Sequence, residues 1–354
     1  MPATEPENLG VCACVANIAD DKVRGSMDPS QAPTTEELKR ALEVLRRVDY
    51  KTVQGLGYHL QLNDYYSSLN DCAFLDANRD LWRTVDDPQC IDWRLDHQLE
   101  VAREVSGFVD ELRDIPKTAS GPAVYFWDNP MWNHADALVQ YGLVRSRKPR
   151  RVVEIGCGWS SLLLEKALKR NEKDGSPRAE VTLIEPYPRR EILDALPPHW
   201  RQIPLILQRA PLSVFGELQS GDVLFYDGSH CSKAGSDINW LFFRVFPQLR
   251  PGVLIHLHDI FFPDDYPEDW IFNRNQSFNE QYILQAFLMH NHDYQVEICN
   301  RYVWTRRAAD LEALYKGVQQ SHGCSFWMRK ANFIGATLSF MKSLSQGTPT
   351  QVRC

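Results

Sequence analysis

No stretch of this sequence approaches 18 consecutive apolar residues, the length a membrane-crossing helix needs, so no membrane partner is expected. The opening residues, Met1 to Asp20, have neither a basic lead nor an apolar core of the kind that directs secretion. Positive charge is in deficit. Against 46 Asp and Glu stand 39 Lys and Arg, a formal charge of -7, which argues against general nucleic-acid binding because such affinity rests on a basic surface. The best local basic run, Lys148-Pro149-Arg150-Arg151, reads more simply as a solvated lead-in to a strand. Nine cysteines include no C-x-x-C pair, and their scatter fits reduced thiols in a cytoplasmic protein rather than a disulfide framework or a zinc site. What is present is ordinary globular material: 44% hydrophobic and 24% charged residues over 354 positions, enough for one large domain with an appendage or two modest domains.

Residues 1–33 mix Pro, Glu, Asp, Gly and Ser and are expected to form a mobile tail. A helical, aromatic-rich cap is expected over 34–145. It opens on a capping box, Thr34-x-x-Glu37, with Leu38, Ala41, Leu42, Leu45 and Val48 at helical spacing. A turn-rich aromatic segment follows from Gly55 to Pro88, then a long amphipathic helix over Leu95 to Leu112. Tyr125-Phe126-Trp127-Asp128-Asn129-Pro130-Met131-Trp132 leads into a further helix through Tyr141.

From Arg151 the pattern alternates. Strands are expected at 151–155, 180–185, 203–207, 222–227 and 252–257, with helices at 159–170, from about 188, and at 238–249 between them. A helix at 279–290 and an antiparallel pair at 294–299 and 325–329 complete the unit, and 331–354 reads as a C-terminal extension. The fold class is therefore α/β, a doubly wound Rossmann-like sheet at 146–330 whose ligands sit beyond the carboxyl ends of its strands.

Those ends carry the chemistry-bearing residues. Glu154-Ile155-Gly156-Cys157-Gly158-Trp159-Ser160-Ser161 is a strand-terminal acid, a glycine turn and a helix start, an arrangement that lets a ligand approach the backbone and meet helix N–H groups. Ser161 stands where a dinucleotide fingerprint has its third glycine, which disfavours a nicotinamide cofactor. Glu185 closes the second strand, where a carboxylate can accept hydrogen bonds from ribose hydroxyls. Asp227-Gly228-Ser229-His230 and His256-x-His258-Asp259 end the fourth and fifth strands, with Lys233, Asp237 and Asn239 close behind the first. His230 and His258 are the candidate bases, supported by Asp259. Asp227, His258 and Asp259 are the alternative ligands for a divalent metal ion that would orient an acceptor hydroxyl. His256, deeper in its strand, reads as structural. The aromatic loop Ile260 to Trp270 offers either an acceptor clamp or simple packing.

Taken together, these segments and His258-Asp259-Ile260-Phe261-Phe262-Pro263-x-x-Tyr266-Pro267-x-x-Trp270 resemble a bacterial-type family of class I S-adenosylmethionine (AdoMet) methyltransferases, mostly of undefined substrate, from about Gly57 through Arg329. The resemblance implies AdoMet as cofactor. Glu154, Gly156 and Gly158 would hold its methionine end, Glu185 its ribose, and Asp227 the cofactor or a metal beside the sulfonium, with Tyr125, Cys157 and Ser160 lining the same site. The expected activity is methyl transfer to oxygen, or nitrogen, of a small-molecule acceptor, by a chain that can form a homo-oligomer. The rival is a methyltransferase fold that binds AdoMet or a nucleoside for other chemistry, such as metal-assisted hydroxylation, or as a noncatalytic partner. Trp159, bulky beside the glycine turn, departs from the pattern.

Overall fold

The structure, a computed structural model, describes residues 32–83, 87–121, 123–132, 134–318 and 322–331. The expected tail up to residue 31 and the extension beyond Ala331 lie outside the described residues. The chain divides into two compact units between Asp71 and Cys72.

In the first unit, α1 (Thr35–Leu45) starts on the expected capping box: Glu37 N–H donates to Thr34 Oγ1, and Thr34 N–H donates to Glu37 Oε2 at 2.8 Å. The reciprocal pair satisfies two donors that a helix start leaves open. α2 (Tyr50–Gly55) is capped one way, by Asp49 Oδ1 accepting the N–H groups of Lys51 and Thr52.

The second unit opens with α3 (Cys72–Ala77), α4 (Leu95–Ser106) and α5 (His134–Arg147). Gly107 ends α4 earlier than the apolar periodicity suggests, and a short 3-10 turn carries Val109 and Leu112 into the core. The alternating part follows: β1 (Arg151–Ile155), α6 (Trp159–Lys173), β2 (Glu180–Ile184), α7 (Arg190–Ala195), β3 (Arg201–Ile203), α8 (Ser213–Gly216), β4 (Val223–Tyr226), α9 (Asp237–Trp240) and β5 (Leu254–Leu257). It closes with α10 (Glu280–Leu288), β6 (Tyr294–Cys299), α11 (Asn300–Tyr315) and β7 (Phe326–Lys330).

The strands form one seven-stranded sheet in the order β3-β2-β1-β4-β5-β7-β6, parallel except for the β5–β7 and β6–β7 pairs. This is the doubly wound arrangement expected, reversing direction between β1 and β4. Side chains alternate across it. Val152, Val223, Phe225, Leu254 and Trp327 face α4, α5 and α6, while Val153, Leu224, Ile255 and Met328 face the opposite layer.

Three expectations are corrected. The third strand is 201–203, not 203–207, because Pro204 has no N–H for the ladder and the chain turns there. The helix expected at 238–249 is α9 followed by a π segment, Leu241–Val245, and a 3-10 turn, Phe246–Gln248, since Pro247 cannot continue α-helical bonding. α11 was not expected at all. Its buried Tyr302, Val303, Leu311 and Tyr315 do not repeat at a helical period, because non-helical backbone at Arg307 breaks the register midway.

Candidate active site

At β1 the turn is set by Gly156, whose φ of +94 suits glycine; a Cβ there would lie 2.5 Å from the Asp227 carbonyl oxygen. The loop after β1 is thereby pressed onto the end of β4. Glu154, fully buried, accepts a hydrogen bond from Ser160 Oγ at 2.8 Å on Oε1, while its Oε2 has no partner among the described residues. Burial pushes its pKa up to about 8. A protonated acid with one open oxygen fits a ligand that brings its own positive charge.

Glu185 accepts the Tyr187 N–H at 2.7 Å, and burial raises its pKa despite that bond. Beside it lies a shallow, open recess lined by Cys157, Leu183, Glu185, Pro188, Gln202 and Ile203. The Cys157 thiol, pushed up to about 12 by burial, is a neutral wall. Ser160 serves Glu154 rather than facing a ligand with its hydroxyl. Trp159 does not stand alone beside the turn. Its ring packs edge-on against Phe126, with Arg189 above it.

Tyr125 does not join this group. Its hydroxyl donates to the Trp132 carbonyl at 2.8 Å and its ring is buried in the core, so the aromatic lead-in reaches the loop through Phe126 instead. The residue expected there was one position away, and strand-like alternation gave no means of telling which ring would turn outward.

The ends of β4 and β5 gather a second group. His230, 7% exposed, donates from Nδ1 to Glu280 Oε2 at 2.8 Å, and its Nε2 faces Asp227 Oδ1 at 3.3 Å and Asp259 Oδ2 at 3.4 Å. His230 and Asp259 both hold left-handed backbone, φ 57 each, which costs energy in non-glycine residues and clusters at functional sites. Burial opposes charging His230, yet the Asp259 charge and the contacts with Asp227 and Glu280 raise its pKa well above the ordinary imidazole value. Burial would likewise raise Asp227, but His258 and then His230 hold it below the usual carboxylate range. Glu280, fully buried, is pushed up to about 7.

Glu280 belongs to this group, although motif reading gave it only a helix-dipole role at the start of a helix facing this region. The signal was an acid in the first turn of a helix; what it lacked was a reason to stand beside His230. That reason is backbone geometry, because the N–H groups of Asn279 and Glu280 both donate to the His230 carbonyl, at 3.0 and 3.2 Å, and so hang the start of α10 on it.

Lys233, Asp237 and Asn239 brace the turn. Asp237 accepts from Tyr226 Oη and Ser229 N–H at 2.9 Å, and Asn239 donates to the Lys233 carbonyl. His256 is structural as expected, stacked on Phe225 with 3.9 Å between ring centres and meeting Ser325 Oγ at 3.0 Å. The loop after β5 packs as a cluster of Phe261, Tyr266 and Ile271 with Trp270 and Phe278, pinned to α10 through Gln281.

The metal set Asp227, His258 and Asp259 does not come together as expected. His258 and Asp259 are neighbours at 3.5 Å, but the imidazole of His230 stands between the Asp227 and Asp259 carboxylates, where an ion would have to sit. No step is assigned to such an ion.

Residues 153–260 match a family model described as a methyltransferase domain. An uncharacterised protein of Archaeoglobus fulgidus is 34% identical over 108 residues, which cover 30% of this chain and 47% of that protein; the match thus spans about half the length of the curated relative. Among solved structures, a putative methyltransferase from Thermobifida fusca overlaps with a TM-score of 0.35 at 12% identity, covering 66% of this chain and 94% of the other. The MycE methyltransferase of the mycinamycin biosynthetic pathway, in complex with Mg, SAH and mycinamycin VI, overlaps with a TM-score of 0.27 at 14% identity, covering 53% and 46%.

Proposed function

We propose that this chain, which carries a class I methyltransferase fold with a methyltransferase domain at 153–260, moves the methyl group of AdoMet onto an oxygen of a small-molecule acceptor, with His230 as general base. The observation that carries the reading is the position of His230: a buried imidazole backed by Glu280, its Nε2 at the carboxyl end of β4, next to the turn after β1.

The cofactor supplies an electrophilic methyl on a sulfonium. Glu154, through its open Oε2, and the turn at Gly156 and Gly158 hold the methionine end. Glu185 takes the ribose hydroxyls, with the adjacent recess receiving the base. His230 Nε2 would take the proton of the acceptor hydroxyl as that oxygen becomes the nucleophile. Asp227, Asp259 and Glu280 stabilise the imidazolium that results. Because the same carboxylates raise the His230 pKa, the neutral base fills as pH rises through that value, and turnover climbs on that limb.

A small acceptor agrees with the acidic balance of the chain. Among the described residues no disulfide joins Cys72, Cys157, Cys231, Cys299 or Cys324. Among the described residues no helix is long and apolar enough to cross a membrane. Calorimetric titration with AdoMet and with S-adenosylhomocysteine tests the cofactor. Absence of heat for both ligands rejects the reading. Binding is then followed by acceptor screening for mass gain of one methyl, which separates hydroxyl from amine products.

A further inference from the structure

We propose that Asp136, His258 and Cys324 form a binding site for one thiophilic divalent ion of the zinc type, adjoining the proton-handling group around His230 and sharing Asp259 with it. The three residues come from the first turn of α5, the end of β5 and the segment before β7, and one ligand atom from each lies within 4.8 Å of the others. Cys324 Sγ is 3.7 Å from Asp136 Oδ2 and 3.7 Å from His258 Nε2. A tetrahedral zinc ion with bonds of about 2.3 Å to sulfur and about 2.0 Å to nitrogen or oxygen sets its ligands roughly 3.3–3.6 Å apart, so both distances to the sulfur need shifts of only a few tenths of an ångström, while the Asp136–His258 pair, within 4.8 Å, closes by up to about 1.5 Å.

The donor types select the ion. One thiolate and one carboxylate neutralise a dication, and a sulfur–nitrogen–oxygen set suits zinc or cobalt, whereas magnesium prefers six oxygens. A carboxylate accepting a thiol hydrogen bond would account for Cys324 and Asp136 alone. It does not account for His258. That ring is 6% exposed, its Nδ1 has no partner among the described residues, and its Nε2 is directed only at Cys324 Sγ and the Asp259 carboxylate. Trp132 packs on it with 4.5 Å between ring centres and fixes that aim.

The cradle is also preformed. Asp136 Oδ1 accepts N–H groups from Cys324 at 2.9 Å and Ser325 at 2.7 Å and the Asn300 amide at 2.9 Å, while Oδ2, which shares the Cys324 N–H at 3.0 Å, lies toward the sulfur. Gly323 allows the approach; with φ +68, it would place a Cβ 2.5 Å from Asp136 Oδ1. Asp259 Oδ1, 3.4 Å from the sulfur and 3.5 Å from His258 Nε2, stands at the fourth corner, while its other oxygen faces His230. The ion would therefore tie α5 to β5 and β7 directly behind the base.

The test uses the full chain stripped with a chelator and titrated with Co2+, then Zn2+, without AdoMet. One equivalent of cobalt is expected, with a thiolate-to-cobalt charge-transfer band and intense tetrahedral visible bands, all displaced by zinc and not by magnesium. Cys324→Ser should abolish the charge-transfer band and weaken zinc binding by more than about 100-fold, since loss even of an outer partner costs a metal site about 10–100-fold. Cys324→Ala repeats the measurement should the serine variant fail to fold. No stoichiometric cobalt uptake by the unaltered protein, or a band that persists in either variant, overturns the proposal.

Discussion

On the β1–β2 side of the sheet edge, Glu154, Gly156, Cys157, Gly158, Ser160 and Glu185 come from one continuous stretch of chain; on the β4–β5 side, the polar group draws on residues 136, 227–230, 258–259, 280 and 324. The two sides also handle charge in opposite ways. Glu154 and Glu185 are raised by burial, so this side is short of positive charge and ready for a cationic ligand. Across the edge, Asp227 is held down and His230 raised, so carboxylates and imidazoles there satisfy one another. One half is completed by what binds; in the other, His230 and the carboxylates around it balance one another and can hold or release a proton.

If that division is right, the largest effect belongs to His230→Ala. Loss of a general base costs about 10²–10⁴-fold in turnover, and because His230 lies in the charge-balanced half, AdoMet affinity should stay nearly unchanged. Parallel loss of kcat and cofactor binding would merge the two halves and defeat the comparison. Pre-steady-state methyl transfer with calorimetry on the same preparation separates the two quantities.

Glu185→Ala is the converse. Removing hydrogen bonds to a charged group costs about 1.5–3 kcal/mol, which is roughly 10–100-fold in AdoMet affinity, with the chemical step little altered at saturation. Unchanged affinity would show that Glu185, already bonded to the Tyr187 N–H, only shapes its own turn.

Glu280→Gln sits between them in meaning and below them in size. The carboxylate raises the His230 pKa, so an amide in its place lowers that pKa and moves the rising limb of the kcat/KM profile to lower pH, with about a tenfold loss at the plateau. A limb that stays in place would make Glu280 a packing residue.

The same division explains what could be read in advance. Glu154, Gly156 and Glu185 were legible because a strand, a turn and a helix start are contiguous, and each residue type follows from local geometry. The alternating order of strands was legible for the same reason. Glu280 and Cys324 were not, because each sits at an ordinary position, a helix start and a segment before a strand, and gains meaning only from a partner more than 40 residues away: His230 for the first, His258 for the second. Tyr125 erred in the other direction. Expected to line the cofactor site, it turns its ring into the core and its hydroxyl to the Trp132 carbonyl, a packing choice that no local pattern encodes.

The smallest effect should come from His256→Gln, one strand position pair inward from His258. Burial, then the neighbouring charge of His258, lowers the His256 pKa well below its ordinary value, so the folded protein keeps it neutral. In the unfolded chain it takes a proton below pH about 6.5, so unfolding is favoured as pH falls through that point, and stability attributable to neutral His256 is present above it and lost below. Glutamine cannot titrate. At pH 8 the variant should be less stable by about 1 kcal/mol for the lost stacking on Phe225, and that difference should shift in the variant's favour by up to about 2 kcal/mol by pH 5, at 1.36 kcal/mol per pH unit, so that it closes and then reverses. Denaturant melts at the two pH values measure it, while the kcat/KM profile should not move. A gap that is constant with pH would mean that His256 is not buried neutral, and the inner boundary of the charge-balanced half would then have to be drawn one residue pair deeper.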